Sequence, residues 1–191
     1  MRRVRYGGAI SLDGFIAGPQ GQADWILMDP EIDFAALFKQ YDTLLMGRRT
    51  FSAMAAAGHG GAMPGMTTYV FSRTLRPQDF PDVTIVSDDA GALVQRLREQ
   101  PGKDIALFGG GLLFRSLLDA GQVDTVEVSL IPVLLGDGIS LLAPPYGNID
   151  GSQDTEDHRY DLAGVRYRAV TAAVNAGRLR CGSAGSFTVT A

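Results

Sequence analysis

A strand, three glycines and a helix follow one another directly at residues 104–118. Residues 104–108 have the composition of a buried strand. Apolar residues after the glycines recur with helical spacing, at Leu113, Phe114, Leu117 and Leu118. Gly109, Gly110 and Gly111 have no Cβ, so an anion can approach the N–H groups at the helix start. The pattern fits a pyrophosphate cradle, and equally a βα turn that needs glycine for its own geometry.

Composition narrows the class of protein. A length of 191 residues and a hydrophobic content of 46% suit one globular domain, so we expect residues 1–191 to form a single domain. The net charge of −4 gives no general attraction to nucleic acid or to an anionic membrane. One cysteine excludes an intramolecular disulfide, and with two histidines the usual zinc spacings are missing, so we predict no metal site. No apolar run has the length of a signal or a membrane span, which predicts a cytoplasmic protein.

Two other predicted strands end in arginines and hydroxyl groups. Residues 43–46 form one such strand, and they are followed at a helix start by Gly47, Arg48, Arg49 and Thr50. Residues 67–71 form the other, which ends at Ser72 and Arg73. A cation is mildly unfavourable at a helix N-terminus, whereas the guanidinium fork matches phosphate oxygens. This arrangement therefore favours an anionic ligand over arginines that are merely solvated.

The first strand is predicted at residues 4–10, and a long loop follows it. Such loops often border a site in open α/β sheets. Trp25 at its end is either a packing residue, which we favour, or a residue that stacks on substrate. Asp29 and Pro30 predict the start of a helix. Its apolar face is formed by Phe34, Leu37, Phe38 and Tyr41. A carboxylate such as Asp33 in a first turn more often compensates the helix dipole than transfers a proton.

Strands alternate with helices up to residue 120, which predicts a mainly parallel sheet covered on both faces. Residues 123–131 are too polar on one face for a fully covered central strand, and the apolar run 130–142 suggests a sheet edge or a subunit interface. The character changes in residues 144–191, which contain an acidic loop and further strands. Strands are predicted at residues 165–171, 179–181 and 187–190. Within the loop, Asp154, Glu156 and His158 fit a polar loop better than a metal site.

Five motifs in order carry a resemblance to a known family. They are SLDGFIA at residues 11–17, LMGRRTF at 45–51, VFSRTL at 70–75, FGGG at 108–111 and IPVLLGDG at 131–138. The chain resembles the dihydrofolate reductase-like superfamily, and more closely the reductase domain at the C-terminal end of bacterial bifunctional riboflavin-pathway deaminase-reductases. The resemblance covers about residues 3–143. It implies a three-layer α/β/α fold with a mostly parallel central sheet and an antiparallel C-terminal edge.

The resemblance also implies that NADPH is the cofactor. The pyrophosphate contacts would come from Gly109, Gly110 and Gly111, with Phe108 and Leu112 beside them. Other phosphate contacts would come from Gly47, Arg48, Arg49 and Thr50, with Arg48 on the 2′-phosphate that distinguishes NADPH from NADH. Ser72 and Arg73 match the adenosine 2′-phosphate side, and Ala9 and Ile16 would line the nicotinamide. Trp25, Phe34 and Phe38 are the expected substrate-binding residues.

The chain departs from this pattern in the first predicted helix. Dihydrofolate reductases proper have a carboxylate four residues before a Phe that precedes a Lys, and alignment on Phe38 and Lys39 puts Phe34 at that position. Asp33 is one residue away, which is about 100° around a helix. We therefore do not expect reduction of folate itself. Asp33, Glu31 or a water molecule remain as candidate proton donors, and the tail 144–191 is a second departure.

Two hypotheses of function follow. The first is an NADPH-dependent reductase that transfers hydride to a C=N or C=O bond of a small pterin-like or pyrimidine-like heterocycle, similar to 5-amino-6-(5-phosphoribosylamino)uracil reductase. The second is an NADP(H)-binding module or sensor without turnover. A methyl-donor-binding enzyme is a weaker alternative, because it gives the three arginines at the strand ends no role. The family and the apolar run 130–142 further predict a homodimer.

Overall fold

The computed structural model describes residues 1–26, 33–58 and 62–143, together with the backbone of two strands at 165–175 and 178–188. In chain order the elements are β1 (Val4–Ser11), β2 (Phe15–Ala17), α1 (Phe34–Phe38), β3 (Tyr41–Gly47), α2 (Arg48–Ala56), β4 (Thr67–Phe71), β5 (Thr84–Val86), α3 (Ala90–Glu99), β6 (Asp104–Leu107), α4 (Gly111–Asp119), β7 (Thr125–Ile131), β8 (Ile139–Ser140), β9 (Val165–Asn175) and β10 (Arg178–Thr188). A short 3-10 turn at Pro77–Asp79 precedes β5. None of these described helices is long and apolar enough to cross a lipid bilayer.

Eight strands form one sheet in the order β10-β9-β7-β1-β6-β3-β4-β5, and β2 pairs with β8 in a separate antiparallel sheet. Neighbouring strands of the large sheet are parallel except for β10, which runs antiparallel to β9. The predicted mostly parallel sheet with an antiparallel C-terminal edge is therefore confirmed. The carboxyl ends of its parallel strands lie along one edge of the sheet, where ligands bind in open α/β folds.

Residues 123–131 were predicted to be too polar on one face for a fully covered central strand. The strand β7 lies inside the sheet between β1 and β9. One of its faces is apolar, with Val126 and Val128 buried in the core, whereas Glu127 on the other face is only partly buried and binds Arg5. Residues 187 and 188, predicted to begin a separate strand, end the longer strand β10.

Helices cover both faces of the sheet. On one face α3 and α4 pack against β1, β3, β6 and β7, and the Tyr6 and Phe114 rings lie 4.5 Å apart. On the other face Leu37 of α1 and Phe51 of α2 pack in a cluster with Tyr41, Leu44, Met46, Val70 and Ala106. Burial of each large apolar side chain stabilises the fold by about 1.5–3 kcal/mol. The three layers match the predicted α/β/α architecture.

The helix α1 is shorter than the sequence pattern suggested. Its predicted start at Asp29 and Pro30 lies outside the described residues, and the described helix begins after Asp33. The inclusion of Tyr41 in this helix was wrong, because Tyr41 is the first residue of β3. The Arg5 guanidinium lies 5.0 Å from the centre of the Tyr41 ring, so a tertiary contact outweighs the helical spacing.

The amino ends of the strands are held together by ion pairs. Arg2 binds Asp42, and its Nε donates to the Lys103 carbonyl at 2.6 Å. Arg3 binds Asp104 at 2.6 Å. A depression of about 390 Å³ lined by Met1, Arg2 and residues 98–104 lies at this edge. This depression lies at the amino edge of the sheet, whereas the glycine turn lies at the carboxyl edge. Arg2, which lines the depression, already forms an ion pair with Asp42.

Candidate functional site

The glycine turn joins β6 to α4 at the carboxyl edge of the sheet. Gly109 has φ +111°, a conformation that favours glycine, and the peptide bond between Gly109 and Gly110 is cis. Gly110 is the N-cap of α4 and offers no side-chain acceptor to the first turn. The first N–H groups of a helix have no partner within the helix. In the described part of the chain no side chain caps those of α4, so they remain available to an anion.

A second helix begins beside the first. Gly47 is the N-cap of α2, again without a side-chain cap. Its N–H donates to the Gly109 carbonyl at 2.8 Å, and the Phe108 N–H donates to the Leu45 carbonyl at 2.9 Å. A Cβ at Gly110 would lie 3.4 Å from Thr50 Oγ1, so the threonine hydroxyl lies against the turn. Two positive helix ends and one hydroxyl thus share a small region.

Three arginines at this edge have no counter-charge among the residues that the structure describes. Arg48 and Arg49 in the first turn of α2 are exposed, as is Arg73 after β4. None of the three forms an ion pair with another residue in the described part of the chain. Ser72 is buried, and its Oγ accepts hydrogen bonds from the N–H groups of Thr74 at 3.2 Å and Leu75 at 3.0 Å. Ser72 therefore shapes the turn that presents Arg73, and its predicted cofactor contact stays a prediction.

Asp13 connects the first loop to the segment after β7. Its carboxylate accepts a hydrogen bond from the Ser11 hydroxyl at 2.6 Å and others from the N–H groups of Leu135 at 3.0 Å and Gly136 at 2.8 Å. The Ser11 hydroxyl and then the Gly136 N–H lower the pKa of Asp13 below its ordinary value. The SLDG motif at residues 11–14 had predicted no role for Asp13. The signal was present, because a Ser-x-Asp pattern before glycine is typical of side chains that bond nearby backbone.

The first loop, which Asp13 holds in place, lies next to the glycine turn through the strands β2 and β8. The strand β2 carries Ile16 and pairs with β8, and a Cβ added to Gly111 would lie only 2.6 Å from the Ser140 carbonyl oxygen in β8. Gly111 therefore has to be glycine for packing, whether or not it contacts a cofactor. Ala9 in β1 and Ile16 are both partly buried near this edge. The structure thus joins the first loop, β8 and the start of α4.

The predicted catalytic and substrate residues lie on α1 and before it. The Asp33 carboxylate caps α1 by accepting the Ala36 N–H at 2.9 Å. Asp33 is therefore the N-cap, and not the first-turn carboxylate that the sequence predicted. Glu31 lies outside the described residues. The Phe34 and Phe38 rings lie 6.2 Å apart. Trp25 is partly buried, and its Nε1 donates to the Gln22 carbonyl at 3.2 Å. The catalytic and substrate-binding roles of these residues stay predictions, and Asp154, Glu156 and His158 are also outside the described residues.

Comparison with known proteins decides the family. Residues 2–156 match the RibD C-terminal domain. The chain belongs to this family of dihydrofolate reductase-like reductase domains. The match extends past residue 143, where the motif resemblance ended. Two curated relatives are uncharacterized proteins of Bacillus subtilis strain 168: YyaP is 35% identical over 148 residues (72% of this chain and 78% of YyaP), and YwjB is 31% identical over 138 residues (70% and 78%).

Solved structures agree with this family. A candidate riboflavin biosynthesis protein from Shewanella sp. PV-4 has a TM-score of 0.64 at 26% identity, covering 76% of this chain and 86% of that protein. The diaminohydroxyphosphoribosylaminopyrimidine deaminase/5-amino-6-(5-phosphoribosylamino)uracil reductase of Thermotoga maritima has a TM-score of 0.57 at 17% identity. That alignment covers 80% of this chain and 51% of the T. maritima protein, and at this identity it shows the fold alone.

Proposed function

We propose that this protein is an NADPH-dependent reductase that transfers a hydride to a C=N or C=O bond of a pterin-like or pyrimidine-like heterocycle. One observation carries the proposal: α2 and α4 begin side by side at the carboxyl ends of neighbouring strands, each with a glycine N-cap. Three exposed arginines near them have no ion-pair partner among the described residues. The family places the fold among reductase domains. A doubly charged pyrophosphate with a further phosphate is the kind of anion that such a region attracts.

The residues at this edge fit the phosphates of a dinucleotide. The first-turn N–H groups of α4, the Thr50 hydroxyl and the N–H groups of α2 would hold the pyrophosphate. Arg48, Arg49 and Arg73 would hold the 2′-phosphate side. When bound, NADPH supplies the hydride, and a proton from a side chain or water completes the reduction. The protein contributes orientation of the two reactants and fixed positive charge.

The cofactor assignment is tested with the Arg48→Ala variant, for which NADPH and NADH affinities are measured by titration. Loss of a charge-assisted contact to the 2′-phosphate should cost ~1–3 kcal/mol for NADPH, a factor of roughly 5 to 150. The NADH affinity should change little. Arg96→Ala is a matched control, because Arg96 is also exposed but lies in the last turn of α3. An equal loss for both cofactors would contradict the assignment.

Turnover is tested by following the nicotinamide absorbance with a panel of pterins and flavin precursors. The alternative function is an NADP(H)-binding module or sensor. It is favoured by the position of Asp33, whose carboxylate is engaged as the cap of α1. Tight NADPH binding without oxidation by any compound of the panel supports the alternative, whereas oxidation by one class identifies the substrate.

We further propose that the protein acts in the cytoplasm as a homodimer, on a small-molecule substrate and without a nucleic-acid or membrane partner. Support for the dimer comes from the segment after β7, where the Leu134 side chain is 71% exposed, and from Leu12 beside it at 53%. The Leu12 N–H donates to the Val133 carbonyl at 2.9 Å, so the two leucines lie on neighbouring segments. Exposed apolar neighbours of this kind are typical of interfaces.

A further inference from the structure

A trough runs over Gly7 of β1, from Glu127 to Ala9, on the sheet face that carries α1. The role inferred for it rests on the proposed function. Tyr6 packs against Phe114 of α4 on the other face of the sheet. A Cβ added to Gly8 would lie 3.3 Å from the Tyr6 hydroxyl, so Gly8 also faces α4. Because side chains alternate along a strand, Gly7 faces the opposite side. A Cβ at Gly7 would have no atom within 4 Å. As far as the described residues show, open space therefore lies over the middle of β1.

A carboxylate borders this open space. Gly7 pairs in register with Glu127 of β7, and the Glu127 side chain is 25% exposed. Arg5, which is only 7% exposed, holds it through Nε to Oε1 at 3.1 Å and Nη2 to both oxygens at 2.9 Å. Arg5 Nη1 also donates to Gln40 Oε1 at 2.8 Å, which closes the inner end of the trough next to α1. Burial opposes the charge of Arg5, but the hydrogen bonds that Arg5 donates to Glu127 and Asp104, together with the charges of Tyr41 and Glu127, outweigh burial. The pKa of Arg5 is therefore raised, and the pair stays ionised.

The hydrogen bonds that Glu127 already accepts define what it can still bind. A carboxylate offers about four lone-pair sites. Oε1 accepts two hydrogen bonds from Arg5, whereas Oε2 accepts one. Among the described side chains, one acceptor site on Oε2 therefore remains, and it suits a single N–H donor. A guanidinium fork on the other side fixes the carboxylate in place.

The other end of the trough is the predicted nicotinamide site. Ala9 is two residues beyond Gly7, about 6–7 Å along the strand, and it pairs in register with Ser129. A fused or single planar ring that places one edge at Glu127 therefore extends over Gly7 towards Ala9. We propose that Glu127 anchors the substrate, which is a planar heterocycle that presents a ring or exocyclic N–H to Oε2 and lies on Gly7 with its reducible bond above Ala9.

The experiment uses the full chain saturated with NADP⁺ and two probes, lumazine and 1,3-dimethyllumazine, which lacks ring N–H groups. Binding is followed by the intrinsic fluorescence of the probes. The wild-type protein should bind lumazine about tenfold or more tightly than the dimethyl compound, because a charge-assisted hydrogen bond is lost. Equal affinity for the two probes, or no binding of lumazine to the NADP⁺ complex, overturns the proposal.

Two variants test the hydrogen bond to Glu127 and the open space over Gly7 separately. Glu127→Gln leaves Asp104 at 3.4 Å from Arg5 as a remaining counter-charge, and it should reduce the preference for lumazine to near one. A preference that persists means that methyl crowding, and not Glu127, causes it. Gly7→Val adds a side chain whose Cβ would have no described atom within 4 Å, and it should weaken lumazine binding about tenfold or more by filling the open space.

Controls keep the result distinct from failure of the proposed function. The NADP⁺ affinity of each protein is measured first. A wild-type protein that does not bind NADP⁺ would contradict the proposed cofactor, which is a different result from failure of lumazine to bind the NADP⁺ complex. Gly8→Ala changes the neighbouring residue of the same strand on the opposite face, so it should leave lumazine binding unchanged. Unchanged lumazine affinity in Gly7→Val with normal NADP⁺ binding would show that the heterocycle lies elsewhere.

Discussion

The contact of Gly111 with β8 predicts a destabilised Gly111→Ala variant. A Cβ at this position would lie 2.6 Å from the Ser140 carbonyl oxygen, 3.0 Å from the Leu141 carbonyl oxygen and 3.4 Å from the Ala143 N. All three atoms belong to backbone, and Ser140 is tied to Phe15 by strand pairing. No flexible side-chain end is available to move aside. The substitution must therefore shift either the start of α4 or the strand β8.

The sign of the effect depends on two opposing quantities. Replacing glycine by alanine at a compatible site stabilises a protein by about 0.4–1 kcal/mol through the unfolded chain. Overpacking a close contact costs about 1–3 kcal/mol. We expect the crowding to win, with the free energy of unfolding lowered by about 1–2 kcal/mol.

Urea unfolding followed by circular dichroism at fixed protein concentration measures the free energy of unfolding of each variant. Gly91→Ala is the comparison, because Gly91 is also near a helix start but its added Cβ would meet only the Ala120 Cβ at 3.0 Å and Asp89 Oδ1 at 3.3 Å. Ala120 is exposed and ends α4, so it has room to move, and we expect a change within about 1 kcal/mol. A Gly111→Ala protein as stable as the wild type would refute the proposed packing of α4 against β8.

Three other predictions concern single side chains. The lowered pKa of Asp13 means that its contribution to stability is present above the ordinary aspartate pKa of about 4 and is lost as the pH falls through the folded-state value. The difference in urea midpoint between wild type and Asp13→Asn should therefore be constant near neutral pH and shrink in acid, and a constant difference down to low pH would contradict it. Asp33→Ala should lose about 0.5–2 kcal/mol of stability with the cap of α1, whereas Asp33→Asn keeps the cap, so loss of turnover in Asp33→Asn at wild-type stability would identify a proton donor. Leu134→Asp should convert the proposed dimer to a monomer by light scattering, and a wild-type protein that is already monomeric removes the dimer.

Local patterns predicted the two glycine helix starts at the carboxyl edge of the sheet well. The helix starts at Gly47 and Gly110 depend on a strand end, a glycine and an apolar repeat, all within a few residues of one another. The family resemblance followed from the same segments and is confirmed by the match over residues 2–156. The roles of the arginines at this edge remain predictions, because no contact in the described chain tests them.

Features that depend on distant residues were not predicted. Tyr41 continues the helical spacing of α1, but the Arg5 guanidinium over its ring belongs to a strand 36 positions earlier in the chain. The sequence indicated a polar face on β7, but it does not reveal that Glu127 on this face has a buried arginine as its partner. Asp13 likewise binds N–H groups 122 and 123 residues away. In each case the deciding partner lies on another element.

The glycines of the turn show that the two interpretations of the sequence are compatible. Gly109 is needed for its positive φ and Gly111 for the close approach of β8, which are both requirements of the fold. Gly110 is different, since an added Cβ would reach only ordinary contact with Thr50 Oγ1 at 3.4 Å and the residue has no positive φ. The fold alone would therefore accept alanine at Gly110, whereas a pyrophosphate placed between the starts of α2 and α4 would not. Of the three glycines, Gly110 is the one whose requirement depends on the ligand.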